Sequence, residues 1–415
     1  MTYAAAHSTP ERLPAYALFA ALLAAAGLPL YIHAPKFYVD EYGVSLAALG
    51  AVLFGLRLLD VVQDPLLGRL SERLRHHRTG AVGFGIIVIA LAMLGLFAVA
   101  PPISPLIWFA LMLTFVFSAF SFLTINFYAQ GVLKADQLPS NGHLRLARWR
   151  ETGALLGVCL AAIAPVALAG ATNQPFAGFA VGFAVIALVA MMAMRQEWNA
   201  AHTAPSEGFG VVLRDPLARR LLLIALLNAA PVAVSSTLFL FFVESRLMAP
   251  GMEGPLLLVF FLSAALAAPL WGKLAESFGP KRVLLVAMVL SIIAFGFALT
   301  LEAGDLVLFA VICFVSGAAV GADLTLLPAM FATRMSQIAP SASEGFGLWS
   351  FVSKFTLAFA AAILLPLLDA SGFEAGPDNS AEALTLLSWL YAGVPCVLKV
   401  LAILLLARTE MKENG

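Results

Sequence analysis

The chain has 415 residues, of which 61% are hydrophobic and only 12% charged, and its mean hydropathy is +0.95. Soluble domains carry about 25% charged residues, so this composition belongs in a bilayer. The 24 basic and 24 acidic residues balance, which speaks against a nucleic-acid partner. Cys159, Cys313 and Cys396 sit in apolar runs at spacings that fit neither a metal motif nor a disulfide framework, and read as small core hydrophobes. The first apolar run is long enough to span and lacks a small-residue cleavage site, so no cleavable signal peptide is expected.

In chain order, apolar runs predict twelve spans, near 13–37, 44–69, 80–101, 105–130, 147–170, 175–195, 216–245, 253–274, 281–301, 305–331, 345–369 and 383–408. Each reaches the roughly 20 residues a hydrocarbon core requires, and internal Gly and Pro are tolerated there. With both termini cytoplasmic, 19 of the 24 basic residues fall on the cytoplasmic side, among them Arg69, Arg73, Arg145, Arg148, Lys281 and Arg334. The opposite side keeps only Lys36 and Arg246 but carries Asp40, Glu41, Glu244 and Glu302. This asymmetry sets the expected orientation. Arg57, Asp60, Asp64, Asp323, Lys354 and Lys399 remain as charges inside the membrane.

The run GRLSER at 68–73 follows the second span and GKLAES at 272–277 follows the eighth. Their 204-residue separation is about half the chain. It predicts two six-helix bundles, 1–195 and 216–415, joined by a cytoplasmic linker at 196–215, the organisation of secondary transporters with a site between repeats. Both runs resemble the loop G-x-L-x-D-R-x-G-R-R of the major facilitator superfamily, with Glu72 and Glu276 where Asp is usual. That resemblance implies an all-α membrane fold of twelve transmembrane helices in two pseudo-symmetric bundles. It also implies a cytoplasmic gate containing Glu72, Arg73 and Glu276.

The second span holds the densest charge. Asp60 and Asp64 are four apart and share a helical face, and Arg57 lies three residues before Asp60. Pro65 cannot donate a backbone hydrogen bond and frees the carbonyl of Val61. Two carboxylates and a loosened carbonyl suit a small hard cation, or a proton shared between close acids. A charge at mid-bilayer costs at least about 2.5–3.5 kcal/mol, and a bound cation relieves it; an Arg57–Asp60 salt bridge is the plainer alternative. Lys354 lies too deep in an apolar run to snorkel comfortably, so a carboxylate partner is expected, with Asp60 and Asp64 as candidates. One lysine and two aspartates leave a net negative charge that one monovalent cation neutralises.

LRLLDVVQDPLLGRLSERLR at 56–75, LARWRETGALLG at 146–157 and EGFGLWSFVSK at 344–354 resemble the melibiose carrier family, the glycoside–pentoside–hexuronide:cation symporters. The resemblance implies cation-coupled symport of a small solute, with Na⁺ or H⁺ at Asp60 and Asp64. Gln63, in place of the family's Asn, and Ser121 complete the implied site. Lys354 matches a lysine that couples cation to substrate, with Arg57 beside it. Arg150 matches an arginine at the cytoplasmic mouth of the cavity, and Glu151 joins the gate.

The family's two sugar-binding carboxylates are replaced by Ala24 and Thr124. A sugar needs many polar partners, because each hydroxyl loses water on binding. The candidates here include Thr124, Asn126, Tyr128, Arg150, Asn228, Trp349 and Ser353. Asp323 has no family counterpart and could bind substrate, carry a proton or pair with a base. A lysolipid or other amphiphile therefore stays open as substrate, as does a proton-coupled exporter. No nucleophile, zinc or phosphate-loop motif occurs, so neither an enzyme nor a cofactor is expected. The expected setting is a bacterial inner membrane, with lipid and one small-molecule substrate as partners and the chain a monomer.

Overall fold

The computed structural model describes residues 12–139, 141–198, 208–339, 341–374 and 376–410. Part of the expected linker and Lys412, one of the basic residues expected on the cytoplasmic side, lie outside them. The described residues form helices and connecting turns, with no strand among them.

The N-terminal half contains α1 (Leu13–Ala25), α2 (Leu28–Tyr42), α3 (Leu46–Arg73), α4 (Arg78–Phe97), α5 (Pro105–Asp136), α6 (Gly142–Ala169) and α7 (Pro175–Met194). The short α8 (Phe209–Arg214) precedes α9 (Pro216–Phe241), α10 (Glu253–Phe278), α11 (Pro280–Gly296), α12 (Leu306–Ile338), α13 (Ser343–Asp369), α14 (Ala381–Ser388) and α15 (Val394–Ala407). Ten of the described helical segments are long and apolar enough to cross a membrane. The other two of the twelve spans are the first, which is broken, and α3, which carries the buried charges.

The first span departs from the continuous 13–37 helix expected from sequence. It breaks at Gly27 and continues as α2 to Tyr42. Pro29 stands at the start of α2, where its missing N–H costs nothing, and it disfavours helical geometry just before it. Gly43, at φ 64°, then stops α2 in the left-handed region. Ser45 caps α3 by accepting from the Ala48 amide at 3.2 Å. The last span also departs from a uniform helix. A π-turn at Trp389–Gly393 joins α14 to α15, immediately before Pro395, whose ring cannot supply the N–H that the Tyr391 carbonyl would receive.

Small residues let helix backbones meet closely where lipid supplies no hydrophobic drive. In the N-terminal half a Cβ on Gly153 or Gly157 would lie 2.1 or 2.4 Å from the carbonyl oxygens of Ala17 and Ala21, so α1 and α6 pack backbone to backbone. Tyr16, Phe19, Tyr38, Phe109 and Phe127 fill the core of this half. The halves meet along two antiparallel seams, α3 against α13 and α6 against α10.

Candidate transport site

Both carboxylates of α3 face α13. Lys354 Nζ lies 3.4 Å from Asp60 and 3.1 Å from Asp64, and donates to Ser121 Oγ of α5 at 2.5 Å. Asp64 is fully buried and Asp60 is 3% exposed. Ser350, one turn before Lys354, donates to Asp64 Oδ2 at 2.5 Å. Gln63 Nε2 donates to Asp60 Oδ1 at 2.6 Å, and its amide is oriented by Ser118, which donates to Oε1 at 3.0 Å. The Phe120 ring centroid lies 5.9 Å from the ammonium, at the edge of cation–π range. The helical spacing of 60 and 64 thus points both acids across the seam between halves, where a single ammonium reaches both.

Asp60, Asp64 and Ser121 converge on one position, and that position holds a monovalent cation, the ammonium of Lys354. Oxygen donors arranged this way fit Na⁺ or a proton. Among the described residues no three His, Cys, Asp or Glu side chains converge as a metal cluster. Arg57 lies half-buried one turn before Asp60.

A second group lies toward the basic-loop end. Arg150 and Glu151 are both buried; Arg150 Nε donates to Glu151 Oε1 at 2.8 Å. The guanidinium lies 3.8 Å from the Tyr128 ring centroid, and Tyr128 donates its hydroxyl proton to Glu151 at 3.2 Å. Phe346 of α13 packs against Tyr128 at 4.9 Å. Arg150 Nη2 and Thr124 Oγ1 are buried without a hydrogen-bond partner. Tyr128 follows Thr124 by four residues, so both polar atoms belong to one face of α5 and its neighbour α6.

The seams close at this end. A Cβ on Gly68 would lie 3.2 Å from the Ser343 carbonyl oxygen, and one on Gly347 would lie 3.2 Å from Gly68 Cα. Ser71 donates to Asn126 Oδ1 at 2.9 Å and its Oγ lies 3.1 Å from Ser343 Oγ, and Arg78 reaches Gln130 and Ser343. On the other seam Arg148 pairs with Glu276 at 3.1 Å. Glu72 pairs with Arg75 of its own half at 3.0 Å, and Arg73 is exposed.

The polar residues singled out from sequence therefore fall into three places. Asp60, Gln63, Asp64, Ser121 and Lys354 form one centre. Asn126, Tyr128, Arg150 and Glu151 sit at the closed end. Asn228 and Asp323 meet Lys399 inside the C-terminal half. Trp349 packs against Phe331, and Ser353 donates to the Trp349 carbonyl. Ser118, Ser350, Ser71, Arg78 and Ser343 escaped sequence reading. Serines in an apolar helix carry no charge to mark them; the four-residue step from Ser350 to Lys354 was the available signal.

A family described as MFS/sugar transport protein matches residues 14–413. The inner membrane symporter YicJ of Escherichia coli K12 is 24% identical over 417 aligned positions, covering 90% of this chain and 85% of that protein. Among solved structures, a bacterial homologue of the iron transporter ferroportin, in an outward-facing state, superposes with a TM-score of 0.68 at 15% identity, covering 95% of this chain and 98% of that one. The Escherichia coli fucose:proton symporter FucP gives 0.67 at 13% identity over 97% and 99%. The human organic anion transporter MFSD10 gives 0.65 at 16% over 96% and 100%. These likenesses carry the fold, while the family match spans nearly the whole chain and agrees with the resemblance read from the α3 and α13 motifs. The protein is a multi-pass membrane transporter, not an enzyme, and belongs to the MFS/sugar transport family.

Proposed function

We propose that the protein is a cation-coupled symporter of a small solute, working by alternating access of its two halves. The observation that carries this reading is the Asp60–Asp64–Lys354 centre, in which α3 supplies the acids and α13, across the seam, supplies the base. Rocking the halves apart at Gly68–Gly347 draws the ammonium away from two buried carboxylates. A Na⁺ ion or proton that takes over the acids removes that penalty, so cation occupancy licenses the movement. Gln63 and Ser121 complete the cation centre, and Arg57 and Lys354 serve coupling.

The unfilled Arg150 Nη2, on the guanidinium that lies over the Tyr128 ring, and Thr124 Oγ1, one turn before Tyr128, offer a donor and a hydroxyl to a polar solute once the halves part. Symport is supported by the likeness to the inner membrane symporter YicJ, and a glycoside-like solute by the family. Ala24 and Thr124, in place of the family's two sugar-binding acids, favour a second reading: an amphiphile whose apolar part asks for fewer polar partners. In this proposal both termini face the cytoplasm of a bacterial inner membrane. Residues 1–195 and 216–415 rock as units about the 196–215 linker, and the chain works as a monomer.

The test is thermal stability of the purified chain with Na⁺, Li⁺ or K⁺ titrated at several pH values, for wild type, Asp60→Asn and Asp64→Asn. A ligand at 100 times its dissociation constant stabilises by about 2.7 kcal/mol. Stabilisation by Na⁺ and Li⁺ that both variants lose establishes a sodium centre. A pH dependence that the variants remove, with no metal-ion effect, establishes protons. Neither response in wild type rejects cation coupling at these acids.

A further inference from the structure

A second pair of buried charges lies in the C-terminal half, and the mechanism above makes no use of it. Asp323 sits near the middle of the 33-residue α12, and thus near mid-membrane. Lys399 of α15 donates to Asp323 Oδ2 and, at 2.7 Å, to Oδ1 of Asn228 on α9. Asp323, Lys399 and Asn228 are 6%, 3% and 6% exposed. Asp323 Oδ1 is closed to solvent and accepts no hydrogen bond.

Charges at this depth are costly and mark ion pathways and proton relays. A pair kept only to hold helices together gains most when every lone pair is filled, because a bare buried acceptor costs about 1–3 kcal/mol, and more when charged. Here one carboxylate oxygen is bare in a place no solute reaches. The N-terminal half has no such pair at the matching positions. The 204-residue step that relates Gly68 to Gly272 relates Asn228 to Ala24, and Asp323 to Ala119, beside Ser118 and Ser121 of the first centre. The first centre spans both halves, whereas this pair lies wholly on α9, α12 and α15 of the C-terminal half.

We propose that Asp323 is a proton-carrying site of the C-terminal half, separate from the centre on α3. Its proton rests on Oδ1, while Lys399 and Asn228 hold the rest of the group in place. The proton comes from and returns to water; one O–H bond forms, the carboxylate becomes neutral, and Lys399 keeps its charge against Asn228. The cluster passes from net zero to a single positive charge. α12 packs against α5, α6, α9, α10 and α11. Among the described residues Lys399 is the charged group that acts on Asp323. Those other helices carry their charges near their ends, as with Lys134, Arg150, Glu151, Arg219, Glu253, Glu276 and Lys281.

The test is infrared difference spectroscopy of the full chain in lipid nanodiscs, between mildly alkaline and acidic buffer, with no solute added. The expected result is a protonated-carboxyl C=O band that appears on acidification, shifts in D₂O, survives in Asp64→Asn and vanishes in Asp323→Asn. In Lys399→Met the acid has lost its counter-charge, so the band is expected at both pH values. Asp323→Asn/Lys399→Met removes both charges, and gives the same reading as Asp323→Asn where that variant folds poorly. A wild-type spectrum without the band, or a band that persists when Asp323 is replaced, overturns the proposal.

Discussion

At Lys354 one ammonium does the work of two separate counter-ions. It touches Asp60, Asp64 and Ser121, so replacing it with alanine strips the centre of a positive charge that lies 3.1–3.4 Å from the two acids. We expect Lys354→Ala to leave solute binding measurable while gradient-driven accumulation in proteoliposomes falls to the equilibrium level; cation-dependent accumulation equal to wild type removes Lys354 from coupling. Asp215 makes a different use of charge. It caps α9 by accepting from the Ala218 amide at 2.7 Å and is gripped by Arg334 of α12. The Arg334 guanidinium holds this carboxyl below its usual range. A depressed carboxyl contributes stability above its unfolded value of about 3.9 and loses it as pH falls through the lower folded value. Asp215→Asn keeps the cap, since asparagine caps as well as aspartate, so its cost at neutral pH comes from the lost charge on the Arg334 contact and should be about 0.2–1 kcal/mol. That cost should shrink in strong acid, and a melting-temperature difference independent of pH contradicts the ion-pair contribution. Asp60, Asp64, Asp323 and Lys354 stood out in the sequence because charge is rare in an apolar run. The pairing did not: Lys399 showed as a charge but lies 76 residues from Asp323, and nothing local marks Ser118.

At the scale of helices, the seam between α3 and α13 depends on two hydrogens. Gly68 and Gly347 face each other so closely that a methyl on either meets backbone at 3.2 Å, which cannot turn aside. Gly68→Ala should open this end slightly and Gly68→Val strongly. The readout is the distance between spin labels placed on α3 and α13, with the longer-distance population growing in that order. An unchanged distribution in Gly68→Val means the seam does not govern closure. Helix existence and approximate ends were readable from hydropathy. The break at Gly27 was not, because membrane helices carry proline without breaking when neighbours satisfy the freed backbone groups. The antiparallel fit of Gly68 to Gly347 was equally hidden, since each glycine looks ordinary alone and only the tertiary fold brings them together.

For the whole molecule, closure at the basic-loop end is shared between two seams that do not touch the same residues. Distant contributions of this kind add. Arg148→Glu sets like charges against each other at the Arg148–Glu276 contact, 20% and 28% exposed, so its effect is modest. We expect a shift toward the open form in Arg148→Glu, recovery in Arg148→Glu/Glu276→Arg, and a near-additive effect with Gly68→Val, measured by the same label distances. A double charge reversal that fails to recover assigns the contact no part in closure. The repeated loops at 68–73 and 272–277 made a two-half architecture legible, because a duplicated motif half a chain apart survives even where the helices between have diverged. They did not reveal that Glu276 would find its partner across the halves, whereas Glu72 finds one within its own.

The separation of Asp64 from Lys354 also bears on how the chain is made. α3 leaves the ribosome with Arg57, Asp60 and Asp64 near its centre and too little hydrophobicity to favour the bilayer by itself, each of these charges costing about 2.5–3.5 kcal/mol during insertion. The lysine that balances its acids is 290 residues away and is synthesised long afterwards. Until α13 arrives, α3 is an unfinished segment that must shelter against α5 or stay near the translocation machinery. Nascent chains halted before residue 343 should be extracted and degraded far faster than chains halted after 369, making the Asp64–Lys354 pair a checkpoint for assembly.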